Sequence, residues 1–109
     1  TALIVKKEIL PKLPENEKYN LKDQAGRACI APVAIIAEGY AKNHQIRAWK
    51  KYLYDAIGEC NEMITHLSFI KDLYSDRVDS KLCDSLIETY TTSAKQLYTL
   101  AENWKCYKK

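Results

Sequence analysis

Apolar and polar positions along much of the chain follow helical spacing. Between residues 46 and 74, apolar side chains recur in alternating steps of three and four residues: Ile46, Trp49, Leu53, Ala56, Cys60, Met63, Leu67, Ile70 and Tyr74. This one-sided pattern predicts an amphipathic helix that packs at a shallow angle against its neighbours in a bundle. A further helix is predicted to begin at Ser75 or Asp76 and to carry on one side Leu82, Leu86, Tyr90, Ser93, Leu97, Leu100, Trp104 and Tyr107.

The segment 28–37 departs from this pattern, because it contains no charged residue and has no polar face. A helix that is apolar all round must be covered on more than one side. The segment is too short to span a bilayer, which takes about 20 apolar residues. A small domain has too few helices to cover it fully, so we expect a second copy of the chain to do so. The predicted oligomer interface comprises Cys29, Ile30, Val33, Ile36, Ala37 and Tyr40.

The remaining pattern completes a single domain over residues 1–109. A short first helix over residues 2–10 ends where Pro11 and Pro14 interrupt it. The second helix is predicted over residues 20–38, with Asn20 and Gly39 as its caps. Pro32 should bend this helix, and a break into two helices at Pro32 is the alternative. No run alternates with the period of a strand. We therefore predict an all-α fold, an antiparallel up-down-up-down four-helix bundle, with a close helix–helix approach at Gly58.

Composition and cysteine positions favour a cytoplasmic protein. The net charge is only +3, which is low for a dedicated nucleic-acid binder. The four cysteines, Cys29, Cys60, Cys83 and Cys106, are widely spaced among apolar residues, as expected of reduced thiols in a core. No targeting or membrane-spanning segment is visible in the sequence.

Residue spacings point away from catalysis. Neither His44 nor His66 has a Cys or acidic neighbour at a metal-ligand spacing. Glu62 and His66 are one residue too far apart for the Glu-x-x-His pair of di-iron bundles, and no second copy exists. Phosphate-binding loops and nucleophile motifs are absent from the sequence. We predict a non-enzymatic protein with no catalytic residues, metal or cofactor.

Arg27 and Glu38 are the charged residues that flank the apolar segment. Glu38 should be partly buried, and a buried carboxylate needs a partner. The two residues share a helix face but are about 16 Å apart, so they cannot pair with each other within one helix. They are predicted to form a structural ion pair or a cap, either across a subunit boundary or with another helix.

A basic segment follows, consisting of Lys42, Arg47, Lys50 and Lys51, with His44 and Trp49 among them and no acidic residue between. One interpretation is an ordinary solvated helix end. The other is an RNA or DNA site, because an assembly would repeat the patch on one rim and strengthen its field. Lys105, Lys108 and Lys109 form a second basic end. A third hypothesis is a protein adaptor that presents a groove to another chain, such as a polymerase.

Several motifs together resemble a known family. They are Pro14 with Glu17, Tyr19 and Leu21; Gln24 with Arg27 and Ala28; the Ile-Ala-Glu-Gly-Tyr run at 36–40; and Tyr52, Leu53, Ala56, Gly58 and Glu62. Their order and spacing resemble the bacterial four-helix bundle family named for proteins encoded in intervening sequences of large-subunit ribosomal RNA genes. The chain departs from that pattern at Gly26, Ile35 and Glu59.

The resemblance implies a left-handed four-helix bundle that assembles as a homo-oligomer, commonly a ring of five. More distantly, the chain resembles the accessory protein of diversity-generating retroelements, which binds RNA and a reverse transcriptase. That likeness implies RNA or a reverse transcriptase as a partner.

Overall fold

The computed structural model describes residues 1–17 and 19–104, and all regular elements in those ranges are helices, with no strand. The first helix comprises α1 (Ala2–Ile4), a π-helical turn (Val5–Ile9) and a 3-10 turn (Leu10–Lys12). The others are α2 (Leu21–Ala28), α3 (Ala31–Tyr40), α4 (Ile46–Leu73) and α5 (Ser80–Asn103). The predicted all-α fold is confirmed. Cys106, Tyr107 and the lysines of the second basic end lie outside the described residues.

The second predicted helix is broken, so the expectation of one bent helix is wrong. α2 ends at Ala28, a turn occupies Cys29 and Ile30, and α3 begins at Ala31. Pro32 lies in the first turn of α3. Proline is well tolerated there because the first amides of a helix have no partner within the helix. Pro32 therefore starts a new helix and does not kink an existing one.

Glu17, and not the side chain of Asn20, caps α2. Asn20 is the residue before the helix, but its side chain makes no cap hydrogen bond and its φ is 57°. The Glu17 carboxylate instead accepts hydrogen bonds from the amides of Leu21 (2.6 Å) and Tyr19 (2.9 Å) and from the Tyr74 hydroxyl (2.8 Å). Burial opposes ionisation of Glu17, but these hydrogen bonds outweigh it and hold its pKa below the ordinary value.

Seven of the nine apolar positions predicted for α4 are buried, whereas Ile46 is 36% exposed and Tyr74 lies just after the helix. The helix runs over Ile46–Leu73. Its inner face is fully buried and consists of Trp49, Leu53, Ala56, Cys60, Met63, Leu67 and Ile70, none of them more than 1% exposed. The start of α5 is later than predicted, because residues 74–78 form a turn in which the Tyr74 carbonyl accepts from the Arg77 and Val78 amides. Asp79 then caps α5 by accepting from the Lys81 and Leu82 amides.

The roles predicted for the two glycines are both wrong. A Cβ at Gly58 would meet nothing within 4 Å, so the predicted close approach there is wrong. A Cβ at Gly39 would lie 2.3–2.7 Å from atoms of Tyr52. Gly39 is buried inside α3 and is not a cap, since α3 continues to Tyr40. The close helix–helix approach is therefore between α3 and α4, at Gly39.

Contacts at the ends of the helices agree with the predicted up-down-up-down topology. Trp49, near the start of α4, packs edge to face on Trp104, which follows α5. At the opposite end, Lys71 of α4 pairs with Asp84 of α5 at 2.7 Å. Tyr40, at the end of α3, contacts Trp49. Left-handedness of the bundle stays a prediction.

The core has two parts, and the first helix contributes to only one of them. The larger cluster joins the first helix, α2, the second half of α4 and the first half of α5. The smaller cluster holds Trp49, Leu53 and Ala101, with Ile36 and Trp104 packed against it. At this end only α3, α4 and α5 surround the core.

Candidate functional site

The outer side of α3 is apolar and exposed. Val33 is 69% exposed, Tyr40 57% and Ile30 44%, and Ala37 is also exposed. We call these four residues the α3 face. The only buried residues of α3 are Pro32 and Gly39, because Gly39 lies against α4 and turns the α3 face outward. Scattered exposed apolar residues are ordinary, but a contiguous apolar stripe marks an interaction site.

The two other residues predicted at the oligomer interface have different surroundings. Cys29 is buried, and its thiol donates to the Gly26 carbonyl at 3.3 Å. Ile36 is half-buried and packs against the cluster of Trp49 and Leu53. Both therefore contribute to the fold of the single chain. The α3 face is the part of the predicted interface that one chain leaves uncovered.

Arg27 and Glu38 are both exposed, so the expected partial burial of Glu38 is not observed in the single chain. Neither forms an ion pair with any residue in the ranges 1–17 and 19–104. The predicted pairing with another helix of the same chain is thus not observed in those ranges. Pairing across a subunit boundary stays a prediction.

The basic segment lies at the α3–α4 turn and along the first turns of α4. Lys42 and Arg47 are exposed, and Lys50 is half-buried. None of the three has an acidic partner among the residues that the structure describes. Lys51 differs, because it pairs with Asp55 at 3.0 Å on the same helix. The uncompensated positive charge therefore comes from three of the four predicted residues.

Aromatic rings gather beside the basic segment. The Trp49 ring lies 5.7 Å from the Tyr40 ring and 5.6 Å from the Trp104 ring, and the Lys42 ammonium lies 5.6 Å from the centre of the Tyr52 ring. The Trp104 indole donates to the Asn43 carbonyl at 2.8 Å, which ties the end of α5 to the α3–α4 turn. Trp49 is buried, so among these rings Tyr40 is the one with a large exposed surface.

A groove of about 460 Å³ opens between the start of the first helix, α3 and α5. Its apolar walls include Leu3, Val33, Leu97 and Leu100. Tyr90 lines the groove and is 5% exposed, and its hydroxyl has no hydrogen-bond partner among the described residues. Burial, reinforced by the nearby Cys29 and Cys60 thiols, raises the pKa of Tyr90, so the phenol stays protonated. A buried, unpaired hydroxyl costs roughly 1–3 kcal/mol.

The other titratable groups of the described residues are mostly buried or paired. His66 is buried and pairs with Glu62 at 3.2 Å, and His44 is exposed. Burial and the neighbouring Glu62 carboxylate raise the pKa of Glu59. Burial also raises the pKa of the Cys60 thiol, and a protonated thiol is a poor nucleophile. Within residues 1–17 and 19–104, no three or more His, Cys, Asp or Glu side chains could together hold a metal ion.

Sequence reasoning missed two features of these surfaces. The role of Glu17 depends on Tyr74, which is 57 residues away, so no local pattern reveals it. Tyr90 was placed correctly on the inner side of its helix, but the lack of a partner for its hydroxyl depends on which side chains the other helices supply. Helical spacing identifies the buried side of a helix and gives no information about the atoms that face it.

Comparison with known proteins identifies the family and assigns no activity. The family model described as 23S rRNA-intervening sequence protein matches residues 2–99. Comparisons with curated proteins and with solved structures gave no match. In the described part of the chain, no helix is both long enough and apolar enough to cross a membrane. The likeness to retroelement accessory proteins gains no support here and stays a prediction. The matched range covers most of the chain, which therefore belongs to the 23S rRNA-intervening sequence protein family.

Proposed function

We propose that this protein is a non-enzymatic bundle that self-assembles through the α3 face. The observation that supports the proposal is the exposure of Ile30, Val33 and Tyr40 on a helix that carries almost no polar residue. Covering one such side chain fully is worth about 1.5–3 kcal/mol. Association costs roughly 4–15 kcal/mol, so the α3 face needs additional contacts in the assembly. The resemblance implies a ring of five, in which each chain meets two neighbours.

Self-assembly is tested by solution mass from light scattering on the wild type and two variants. Ile30→Asp places a charge on the α3 face, at an exposed residue just before α3 that contributes little to the core. The variant should fold and be a monomer. Phe69→Asp is the matched control, because Phe69 is 53% exposed and lies on α4, away from the α3 face. It should keep the wild-type mass. A monomeric wild type, or an Ile30→Asp variant of unchanged mass, would contradict the proposal.

A nucleic-acid-binding role is a second candidate, supported by the unpaired charges of Lys42, Arg47 and Lys50. Repetition of these charges around an assembly would create a positive rim that attracts phosphate backbones. Tyr40 beside them offers an exposed ring on which a base could stack. Buried, free thiols at Cys29, Cys60 and Cys83 fit a cytoplasmic protein in which such contacts would occur.

RNA binding is tested by fluorescence anisotropy with a short structured RNA, and with DNA of the same sequence, over a salt series. Affinity should fall steeply with salt, with a log–log slope of about 0.7–0.9 for each phosphate contact. The double variant Lys42→Glu, Arg47→Glu should lose binding. Lys81→Glu, Lys95→Glu is the control, because it changes net charge equally on exposed positions of α5. Equal loss in both variants would refute this site. An assembly indifferent to RNA and DNA would favour the protein-adaptor role instead.

A further inference from the structure

The end of α5 is held against the α3–α4 turn, where the basic segment begins. The Trp104 indole donates to the Asn43 carbonyl at 2.8 Å, and the Trp104 ring lies 5.6 Å from the Trp49 ring. Lys42 directly precedes Asn43, and its ammonium lies 5.6 Å from the centre of the Tyr52 ring. One hydrogen bond and one ring contact therefore place the chain at Trp104 beside the basic segment.

The second basic end follows Trp104 directly in the sequence. Lys105 is the next residue, and Lys108 and Lys109 come four and five residues after Trp104. A polypeptide spans at most about 3.6 Å per residue, so the Cα atoms of all three lysines lie within roughly 18 Å of the Trp104 Cα atom. Because Trp104 is held at the α3–α4 turn, covalent connection keeps the second basic end within reach of the basic segment.

Positive charge is concentrated in these two groups of residues. The three lysines of the second basic end carry a charge of +6 together with Lys42, Arg47 and Lys50, which have no acidic partner among the described residues. The whole chain has a net charge of only +3, so the rest of it carries −3. The acidic residue nearest to the second basic end in the sequence is Glu102, and it already accepts a hydrogen bond from the Tyr54 hydroxyl. Charge separation of this kind favours a polyanionic partner that binds one end of the molecule.

We propose that the basic segment and the second basic end form one composite surface, joined through Trp104, that binds the phosphate backbone of an RNA or DNA chain. The inference rests on the nucleic-acid-binding candidate described above and extends its site to the lysines of the second basic end. A nucleic acid carries phosphates at close, regular intervals, so one strand can contact both groups of charges. Lysine binds a phosphate as a point charge, so this surface should have little sequence preference.

The first experiment removes the charges of the second basic end without shortening the chain. Fluorescence anisotropy with the same short structured RNA, and with DNA of the same sequence, compares the wild type with the triple lysine variant Lys105→Gln, Lys108→Gln, Lys109→Gln. If two or three phosphate contacts are lost, the log–log salt slope should fall by about 2 and the affinity at low salt about tenfold or more. The control lowers the net charge equally at three exposed lysines of the first helix: Lys6→Gln, Lys7→Gln, Lys12→Gln. This control should keep the wild-type slope.

The second experiment keeps every charge and changes only the connection to Trp104. A flexible Gly-Ser linker of roughly 20 residues, inserted between Trp104 and Lys105, has an end-to-end distance of about 25 Å, well beyond the Debye length of about 10 Å at 0.1 M salt. The lysines then spend most of their time away from the basic segment. The affinity should fall about threefold or more, because the effective concentration of the second basic end is lower. The same linker added after Lys109 is the matched control and should leave the affinity unchanged.

The outcomes distinguish failure of the composite surface from failure of nucleic-acid binding itself. Wild-type affinity in the triple lysine variant, or in the variant with the inserted linker, would overturn the composite surface even if Lys42→Glu, Arg47→Glu abolishes binding. Equal loss in the triple lysine variant and in its first-helix control would also overturn it, because only net charge would then matter. A wild type that binds neither RNA nor DNA would overturn both proposals. Poly-glutamate that competes for the surface as well as RNA does would overturn the assignment to nucleic acid in favour of an acidic protein.

Discussion

α3 and α4 pack against each other, yet they use their apolar residues in different ways. In α4 the apolar side chains occupy one side, and Leu53, Met63 and Leu67 have no exposed surface. In α3 apolar residues occur on every side, with Glu38 the one charged residue, and only Pro32 and Gly39 are buried. Contacts within the single chain therefore bury the apolar side of α4 but leave the α3 face exposed. Amphipathic spacing predicts packing within a chain. An apolar helix without a polar face indicates contacts that one chain does not make.

Truncation of a buried side chain should give the largest effect and test this difference directly. Leu67→Ala removes a fully buried side chain of α4 and should lower the free energy of unfolding by about 2–5 kcal/mol. Val33→Ala on α3 should change it by no more than about 0.5 kcal/mol in the monomer, because Val33 is 69% exposed. Urea unfolding monitored by circular dichroism measures the free energy of unfolding of both variants.

The dependence of these two costs on protein concentration is a second test of the contrast between α3 and α4. If subunits bury Val33, the cost of Val33→Ala should grow with protein concentration, because association stabilises the folded state by mass action. The cost of Leu67→Ala arises within each chain and should depend much less on concentration. Equal costs for the two variants at low concentration would mean that the contrast between α3 and α4 is incorrect.

The two helical glycines should give effects of opposite sign. Gly39→Ala in α3 places a methyl group 2.3–2.7 Å from Tyr52 and should destabilise the protein by about 1–3 kcal/mol through overpacking. Gly58→Ala in α4 meets nothing within 4 Å and should stabilise it by about 1 kcal/mol through helix propensity. The melting temperatures of the two variants, compared with that of the wild type, measure both effects. A stable Gly39→Ala protein would show that the α3–α4 contact is looser than described.

The same glycines show how far the sequence could predict the fold. The periodicity of α4 predicted its buried side because burial of a helix face is a local property of spacing. The contact of Gly39 with Tyr52 depends on the rotation of α3 against α4, which no pattern within either helix determines. The helix break at Cys29 and Ile30 was missed for a related reason. Continuous apolar residues are compatible both with one bent helix and with two helices that meet at a turn.

The candidate site was predictable to a similar extent. The order of residues along the chain identified the apolar segment and the basic segment, but not which of their side chains one chain buries, since Cys29 and Ile36 contribute to the fold of the single chain. The ion pair of Lys51 with Asp55, four residues on along the same helix, follows from helical spacing, but the sequence analysis counted only acidic residues between the basic ones and missed it. The groove is lined by residues from several separate elements, so sequence analysis did not identify it.

Glu17 should give a smaller effect than the truncation of Leu67, and it extends the comparison to α2, whose start is hydrogen-bonded to Tyr74 at the end of α4. Glu17→Gln weakens the hydrogen bonds from the Tyr19 and Leu21 amides and from the Tyr74 hydroxyl, and should cost about 1 kcal/mol at neutral pH. All three hydrogen bonds of Glu17 are made within one chain, unlike the contacts proposed for the α3 face. The cost of Glu17→Gln should therefore not depend on protein concentration.

The pH dependence of Glu17→Gln separates the role of the charge from that of the side-chain shape. The pKa of Glu17 is lower in the folded chain than its ordinary value of 4.5, so the unfolded chain binds more protons as the pH falls. The stability that Glu17 contributes is therefore present above pH 4.5 and is lost as the pH falls through the lowered pKa. Urea midpoints of wild type and Glu17→Gln should differ at neutral pH and converge in acid. Tyr74→Phe, which leaves the two amide hydrogen bonds in place, should keep most of this pH dependence. If the difference in urea midpoint between wild type and Glu17→Gln is the same at every pH, the carboxylate charge does not stabilise the start of α2.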